Sequence, residues 1–283
     1  MKLIRVFPLV CLVIAIGLGN TASASQSGEV LVLGDSVPFA YIASAGYEYI
    51  NPLNFHGFAD DLGGLLNFNA VDAGCPGETT GSFLLSTAPD NGCRAYRAQF
   101  PLHVAYASTQ LAFAQQYLQQ HSDVELITIT LGANDGFLLE NSCASAPDPT
   151  ACIEAGVPAL LAMVAGNLQM ILADLRATGY GGVIVVTNYY SVDYSDPAGT
   201  GLTALLNKAI EAPTAAYGAV VANLFTAFKT VSTGAAFGGK TCNAGLLNAS
   251  VQNQLLCDVH PSQSGHLLIA QTIARAYQRS GGT

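Results

Sequence analysis

Short runs of Val, Ile and Leu alternate along the chain with longer segments whose apolar residues recur every three or four positions. Such alternation is typical of strands connected by helices into a mostly parallel sheet. Five strands are predicted, at 29–33, 68–72, 124–131, 183–188 and about 220–224. Strands this continuously apolar are usually covered on both faces. The pattern therefore predicts an α/β fold, a three-layer α/β/α sandwich around about five parallel strands.

Longer apolar periodicities predict the helices. Three of them are expected at 58–66, at 109–120 and after Pro261. A fourth and longer helix precedes the fourth strand and carries a stripe at helical spacing: Leu160, Met163, Val164, Asn167, Leu168, Ile171 and Leu175. We expect this stripe to be core and not a cofactor-binding face. Two connections, 82–106 and 136–153, are long and rich in turn formers, which is typical of functional or mobile loops.

The first residues have the order of a secretory signal peptide: charged, then apolar, then small. Lys2 and Arg5 precede an uncharged run over 6–18, and Ala22-Ser23-Ala24 follows. A membrane anchor is the alternative, but this run is well short of the about 20 apolar residues that span a bilayer. We therefore predict a signal peptide over 1–24, a secreted or periplasmic domain over 25–283, and no stable membrane span.

Composition narrows the possible partners. The chain is 51% hydrophobic and 10% charged, as suits a compact body, and its net charge of −9 repels phosphate backbones. Nucleic acid is therefore not an expected partner. A Gly-rich phosphate loop and an H-E-x-x-H motif are both missing, so no metal or cofactor is expected. The histidines with an expected structural or surface role are His56, His103, His121 and His266. A monomer that acts on a small molecule or a lipid is the expectation.

Six cysteines follow the predicted signal peptide, in a chain whose thiols would be oxidised on export. They fall into three sequential couples that each close a short loop: Cys75 with Cys93, Cys143 with Cys152, and Cys242 with Cys257. Metal binding is the rival interpretation. It lacks a C-x-x-C pair. Three disulfides with this pairing are our hypothesis.

Polar residues follow the first and third predicted strands. Gly34-Asp35-Ser36 ends the first strand, and a helix is expected to open at Val37-Pro38. The carboxyl ends of the strands form the ligand crevice in an open α/β sheet, so Ser36 would lie beside substrate, although a helix N-cap is an equally ordinary use of serine. Asn134, in Gly132-Ala133-Asn134-Asp135, could donate its side-chain N–H there or simply form a turn.

Two further segments add candidates. Gly77 follows the second strand in Pro76-Gly77-Glu78-Thr79-Thr80, where a glycine lets a backbone N–H approach a ligand; Gly74 is the reserve candidate. His260 precedes the last helix in Asp258-Val259-His260-Pro261. A neutral histidine beside a serine can take its proton and return it to a leaving alcohol. The alternative is a solvated loop histidine without a catalytic role.

These four segments, in this order, resemble the four blocks of the GDSL/SGNH hydrolase superfamily, which are named for Ser, Gly, Asn and His. The resemblance covers essentially the whole mature chain. It implies a flavodoxin-like sandwich, Ser36 as nucleophile and His260 as base. It also implies an oxyanion hole formed by the Ser36 backbone N–H, Gly77 and Asn134. The G-x-S-x-G elbow of the α/β-hydrolases is absent, because Val37 and Pro38 follow Ser36.

The sequence departs from the family at one position. The usual acid lies three residues before the histidine, where this chain has Cys257, while Asp258 lies two before. Either Asp258 still reaches the histidine ring and completes a triad, or a backbone carbonyl orients His260 and the site works as a dyad. We favour Asp258. The Cys242–Cys257 bridge would then fix the segment that presents His260.

The resemblance implies hydrolysis of carboxylic esters through an acyl-serine intermediate, without metal or cofactor. A lipid or short-chain acyl ester is the expected substrate. Deacetylation of a polysaccharide, as by carbohydrate esterases, is the nearest alternative, with acyl transfer behind it. A non-catalytic ligand-binding module on the same fold is the non-enzymatic alternative, and it would be marked by loss of Ser36, Asn134 or His260, all of which are present.

Overall fold

The central layer is a five-stranded parallel sheet. The computed structural model describes residues 28–250 and 257–282, so the predicted signal peptide lies outside the described residues. The strands are β1 (Gly28–Gly34), β2 (Phe68–Asp72), β3 (Val124–Thr130), β4 (Val183–Thr187) and β5 (Ala219–Ala222). Their order, β2-β1-β3-β4-β5, is the flavodoxin-like one, and every neighbouring pair is parallel. The predicted sheet is confirmed.

Helices cover both faces of this sheet. In chain order they are α1 (Phe58–Leu66), α2 (Thr80–Leu84), α3 (Cys93–Arg97), α4 (Gln110–Gln120), α5 (Ala133–Cys143), α6 (Pro149–Ala177), α7 (Pro197–Glu211), α8 (Leu224–Ser232) and α9 (Gln263–Arg279). On one face α1 and α8 pack against α9, and on the other α2, α4, α5 and α7 pack against α6. The three-layer sandwich is therefore confirmed.

The core forms where these layers meet. Val30, Leu31, Val32 and Leu33 are all fully buried, because successive side chains of β1 point into opposite helical layers. Val164, Leu168, Ile171 and Leu175 of α6 are also fully buried, as the periodicity predicts. Met163 was expected in the same stripe but is 46% exposed. Since one residue turns a helix by about 100°, the position before Val164 points away from the sheet.

The 29-residue helix α6 is, within the described residues, the one helix long and apolar enough by length and composition to cross a membrane. Its buried side chains all lie in the C-terminal half, against the sheet.

The segment after Ser36 is not a helix, so that prediction is wrong. The Ala40 N–H donates to the Val37 carbonyl and the Tyr41 N–H to the Ser36 carbonyl, which makes a succession of turns. Ala40 has a φ of 60°, a left-handed conformation that a right-handed helix does not accommodate. Ser36 therefore lies on a tight turn and not at a helix N-cap.

The two long connections are more ordered than predicted. Helix α5 occupies 136–143 of this connection, and α6 begins at Pro149, with the Asp148 side chain capping Ala151. Only five residues separate the two helices, and the Cys143–Cys152 disulfide joins them. Helices α2 and α3 lie in and beside 82–106. Composition alone misses such elements because short helices depend on tertiary contacts.

Asp258 and His260 lie on a strand and not in a loop, which corrects the expectation for this segment. The antiparallel pair β6 (Leu247–Ala249) and β7 (Cys257–Pro261) leads directly into α9. Residues 251–256 between the two strands lie outside the described part. Helices α7 and α8 and strands β6 and β7 were not predicted. The fifth strand ends at Ala222, because Asn223 caps α8 with its side chain.

Candidate active site

The turn that carries Ser36 is fixed against the sheet. Gly34 has a φ of +140°, and a Cβ there would lie 2.1 Å from the Thr130 carbonyl oxygen, so only glycine allows β1 to end this close to β3. The Asp35 carboxylate is buried, and it accepts hydrogen bonds from the Val37 N–H at 2.9 Å and from the Tyr189 hydroxyl. Ser36 is thereby held at the carboxyl end of β1.

Ser36, His260 and Asp258 form a continuous hydrogen-bonded chain. The Ser36 Oγ lies 3.0 Å from His260 Nε2, although 224 residues separate them in sequence. On the other side of the ring, His260 Nδ1 lies 2.9 Å from each carboxylate oxygen of Asp258. Because successive residues of a strand point to opposite faces, Asp258 and His260 share one face of β7. The two-residue spacing that departs from the family pattern thus still brings the carboxylate to the ring.

The surroundings of the two carboxylates differ. Burial by itself raises the pKa of Asp258, but the hydrogen bond and the charge of His260, with the Val259 N–H, outweigh it and hold that pKa below its usual value. Burial raises the pKa of Asp35 to about 6, against hydrogen bonds from Tyr189 and Val37 that lower it. The carboxylate that contacts the imidazole is therefore the one that stays ionised most readily.

Three potential N–H donors face the same cavity as Ser36. Gly77 has a φ of +88°, and a Cβ there would lie 2.4 Å from the Asn91 carbonyl oxygen. Within residues 28–250 and 257–282, the backbone N–H groups of Ser36 and Gly77 donate to no protein acceptor. The reserve candidate Gly74 donates its N–H to Asp72 at 2.7 Å and does not line the cavity. Gly77 is accordingly the glycine whose N–H is available to a ligand.

Asn134 is buried at the start of α5, and its amide is oriented by a neighbour. Its Oδ1 accepts from Asn91 Nδ2 at 2.9 Å, which leaves the Nδ2 donors of Asn134 for a ligand. The next residue, Asp135, accepts from the backbone N–H and the hydroxyl of Thr80 at 3.0 and 2.7 Å. These two hydrogen bonds connect the segment containing Gly77 to the segment containing Asn134. No pattern in the sequence indicates this role for Asn91.

The β7 strand that presents His260 is held from two sides. The Cys242–Cys257 disulfide anchors its first residue. The buried Tyr190 hydroxyl donates to the Val259 carbonyl at 2.7 Å, and the Tyr190 ring stacks on Phe228 at 4.3 Å between centroids. Both residues that flank Val259 take part in the hydrogen-bonded chain to Ser36.

A cavity of about 520 Å³ opens beside Ser36, within the range of small-molecule sites. Its lining includes Ser36, Gly77, Asn91, Asn134, Tyr189, Tyr190, Val259 and His260. The Tyr41 ring packs against His260 with the centroids 4.9 Å apart. The cavity extends away from the serine between α5, α6 and α7, where its walls are largely aliphatic. Serine, base and donors therefore share one partly apolar chamber.

The other histidines lie outside this chamber. Burial, followed by the charge of His260, lowers the pKa of His266 to about 3, and its Nδ1 accepts from the Phe58 N–H at 3.2 Å. His121 stacks on Tyr117, His103 contacts the Phe39 carbonyl, and the His56 side chain is 70% exposed. Cys75, Glu78 and Cys93 lie close enough to hold a metal, but both sulfurs are joined in a disulfide.

The six cysteines form the disulfides Cys75–Cys93, Cys143–Cys152 and Cys242–Cys257. The first lies directly behind the turn of Gly77, since Cys75 and Cys93 are both buried and a Gly77 Cβ would lie 2.8 Å from the Cys93 nitrogen. The third anchors the strand of His260. Two of the three bridges therefore brace segments of the candidate site.

Comparison with protein families gives the decisive match: the GDSL-like Lipase/Acylhydrolase family matches residues 32–268. The chain belongs to this family. Its members are ester-hydrolysing enzymes, and the match spans all four sequence blocks, from Gly34 to Pro261. No curated protein matches the chain by sequence.

Solved structures share the fold at low sequence identity. A lipase from a goat rumen metagenome is 16% identical, with a TM-score of 0.58, and the match covers 89% of this chain and 99% of that one. Phospholipase A1 from Streptomyces albidoflavus is 18% identical, with a TM-score of 0.54 and coverage of 88% and 99%. An acetyl xylan esterase from Geobacillus stearothermophilus is 14% identical, with a TM-score of 0.51 and coverage of 90% and 95%. The GDSL fold is thus common to all four.

Proposed function

We propose that this family member is a secreted serine esterase that hydrolyses lipid or short-chain acyl esters through an acyl-enzyme on Ser36. The observation that carries the proposal is the chain from the Ser36 hydroxyl through His260 to Asp258, with contacts of 3.0 and 2.9 Å. A serine is weak as a nucleophile unless an adjacent base takes its proton, and here the base contacts it directly.

In the proposed acylation step, the Ser36 Oγ attacks the ester carbonyl carbon while its proton passes to His260 Nε2. The carbonyl oxygen becomes an oxyanion and accepts from the N–H groups of Ser36, Gly77 and Asn134. The imidazolium then protonates the leaving alcohol, and the carbon–oxygen bond to that alcohol breaks. Water repeats the sequence on the acyl-enzyme, which releases the carboxylic acid and restores Ser36.

Asp258 is assigned the role of orienting the imidazole. A carboxylate on Nδ1 places the proton on that nitrogen, so that Nε2 is free to accept from Ser36. It also stabilises the imidazolium that forms during attack. The low pKa of Asp258 supports this role because the group remains charged across the neutral range.

Two observations bear on substrate and location. The largely aliphatic walls of the cavity favour an acyl chain, and two of the related structures are a lipase and a phospholipase A1. Removal of acetyl groups from a polysaccharide is the second candidate, because an acetyl xylan esterase shares the fold. Three disulfides and the signal-like N-terminus support secretion, since disulfides persist in oxidising compartments.

The test combines turnover with covalent labelling. Wild type and Ser36→Ala are assayed on nitrophenyl acetate, octanoate and palmitate, on phospholipid and on acetylated xylan. Both proteins are then treated with a fluorophosphonate and mapped by mass spectrometry. We expect wild type alone to turn over esters and the adduct to form on Ser36. Equal rates for the two proteins, or an adduct on another residue, would refute the serine mechanism.

A further inference from the structure

The apolar stripe of α6 does not end where the protein core ends. Its C-terminal part, from Val164 to Leu175, is fully buried against the sheet. The same stripe continues towards the helix N-terminus through Ile153, Val157 and Leu161, each three or four residues from the next. These side chains are only partly buried and line the cavity beside Ser36. Here α6 presents a core-like surface to an open chamber.

Helix α7 forms the opposite wall. Leu202 and Leu206 lie one turn apart on the helix and both line the cavity. Leu205, beside them on the same helix, is exposed to a similar extent (42%, against 44% for Leu202) but does not line it. The side chains of Ile153, Val157, Leu161, Leu202 and Leu206 together bound what we call the α6–α7 trench.

The chemistry at Ser36 determines which part of an ester would enter this trench. His260 protonates the leaving oxygen, so the alcohol lies on the histidine side, near Tyr41 and Val259. The acyl group extends from the carbonyl carbon in another direction. Ala133, the first residue of α5, and Tyr189, which donates to Asp35 beside Ser36, also line the cavity. The acyl chain is thereby directed towards α6 and α7.

Resting on the proposed function, we propose that the α6–α7 trench is an acyl-chain site that selects medium- and long-chain acyl esters over acetyl esters. Each methylene placed between these aliphatic side chains leaves water, which strengthens binding of the ester about fourfold. An acetyl group is too short to leave the neighbourhood of Ser36 and gains none of this burial. The trench would therefore separate the lipid-ester alternative from polysaccharide deacetylation.

Besides Asp35, the acidic residues that line the cavity are Glu140, Asp193 and Asp196, and the last two are engaged locally. Asp196 caps α7 by accepting from the Ala198 and Gly199 N–H groups, and Asp193 accepts from the Ser195 N–H and hydroxyl. Among the described residues no lysine or arginine lines the cavity, so a negatively charged acyl end would find no cation there. An uncharged hydrocarbon chain is the occupant that fits the wall between these acidic residues and Ser36.

The first test measures kcat/KM on nitrophenyl acetate and octanoate for wild type, Val157→Trp, Leu202→Trp and Leu205→Trp. We expect wild type to prefer octanoate by at least about tenfold, the scale on which an apolar pocket discriminates. The octanoate-to-acetate ratio should fall about tenfold in Val157→Trp and Leu202→Trp and stay at the wild-type value in Leu205→Trp. A wild-type preference for acetate, or equal ratios in all four proteins, would overturn the proposal.

The second test measures ligand binding in the trench without any turnover of substrate. Three proteins are titrated with cis-parinaric acid, a fluorescent long-chain fatty acid. They are the Ser36→Ala variant and the two double variants that combine Ser36→Ala with Val157→Trp or with Leu205→Trp. Saturable binding that Val157→Trp weakens about tenfold and Leu205→Trp preserves supports the trench, even if wild type hydrolyses no ester and the proposed function fails. If wild type hydrolyses esters but the probe does not bind, the trench is wrong while the esterase stands.

Discussion

The Tyr190 hydroxyl donates to the Val259 carbonyl at 2.7 Å and so holds the residue between Asp258 and His260 in place. Tyr190 follows β4, at the carboxyl edge of the central sheet, whereas Val259 belongs to the separate β6–β7 pair. This bond ties the strand of the candidate base to the sheet that carries Ser36. Since 3.0 Å separates Ser36 Oγ from His260 Nε2, a small displacement of β7 would break their contact.

Replacing Tyr190 with Phe should therefore lower kcat on a nitrophenyl ester, by about tenfold, with a smaller change in KM. A displaced base costs turnover more than substrate binding. Loss of the bond should also lower the free energy of unfolding by about 1 kcal/mol, measured by urea denaturation.

Tyr180→Phe is the matched control. The Tyr180 hydroxyl likewise donates to a backbone carbonyl, that of Val183 at 3.1 Å, at the opposite end of β4 from Tyr190. This variant should lose a similar amount of stability and keep its kcat. If both variants lose activity in proportion to stability, Tyr190 has no positioning role.

The Asp258→Asn variant distinguishes a catalytic triad that includes Asp258 from a dyad of Ser36 and His260. An amide beside Nδ1 can hold the ring in the wrong tautomer, so kcat should fall by about 10³–10⁴-fold, as for the carboxylate of serine protease triads. Asp148→Asn, which preserves an N-cap on α6, is the control for an Asp-to-Asn change and should retain full activity. Near-normal turnover of Asp258→Asn would mean that the imidazole is oriented without the carboxylate.

The Cys242–Cys257 disulfide should matter for activity beyond its effect on stability. It closes a 15-residue separation and anchors the strand that carries His260. The double variant Cys242→Ser, Cys257→Ser should lose about 3 kcal/mol of stability. At a temperature where it is still folded by circular dichroism, its kcat should also be lowered. Wild-type kcat in the folded double variant would show that the bridge does not order the base.

The predictable part of the fold is the part with strong periodicity. Strands β1 to β4 are apolar runs that can be recognised from the local sequence alone. Because β2, β1 and β3 are neighbours in the sheet, the segments that follow them, with Gly77, Ser36 and Asn134, meet at one edge. Helix α7 was missed although the sequence marks it: Asp196 and Pro197 begin it as an N-cap and a first-turn proline, and Leu202, Leu206 and Ile210 recur every four residues. The pair β6–β7 escaped prediction because its two short strands are stabilised by each other, by the disulfide and by the bond from Tyr190, and no local pattern reveals these contacts.

The supporting residues of the candidate site were harder to predict than its candidate nucleophile and base. Ser36 and His260 lie in recognisable segments, whereas Asn91 and Tyr190 act through contacts 43 and 69 residues away in sequence. No local pattern distinguishes an asparagine that orients another amide from one that forms a turn. Such partners emerge only when the chain is folded.

Glu78, in the block of Gly77, gives the stability of the protein a pH dependence that can be measured. It is 2% exposed, and its carboxylate accepts from the Ser82 hydroxyl and from Gln110 Nε2. Burial raises its pKa from 4.5 to about 7, against the opposing effects of the Ser82 hydrogen bond and the Arg97 charge. The folded protein therefore retains this proton at pH values where the unfolded chain has lost it.

The direction of the pH dependence of stability follows from this difference in pKa. Below pH 4.5 both states are protonated and the stabilising contribution of the protonated carboxyl is fully present; it is lost as pH rises to about 7. The Glu78→Gln side chain cannot ionise. Between pH 4.5 and 7 the free energy of unfolding of this variant should therefore fall by about 3 kcal/mol less than that of wild type. Urea denaturation at pH 4.5, 6 and 7.5 measures this, with the exposed Glu154→Gln as the charge-removal control. Parallel pH profiles for Glu78→Gln and wild type would mean that Glu78 ionises alike in the folded and unfolded states.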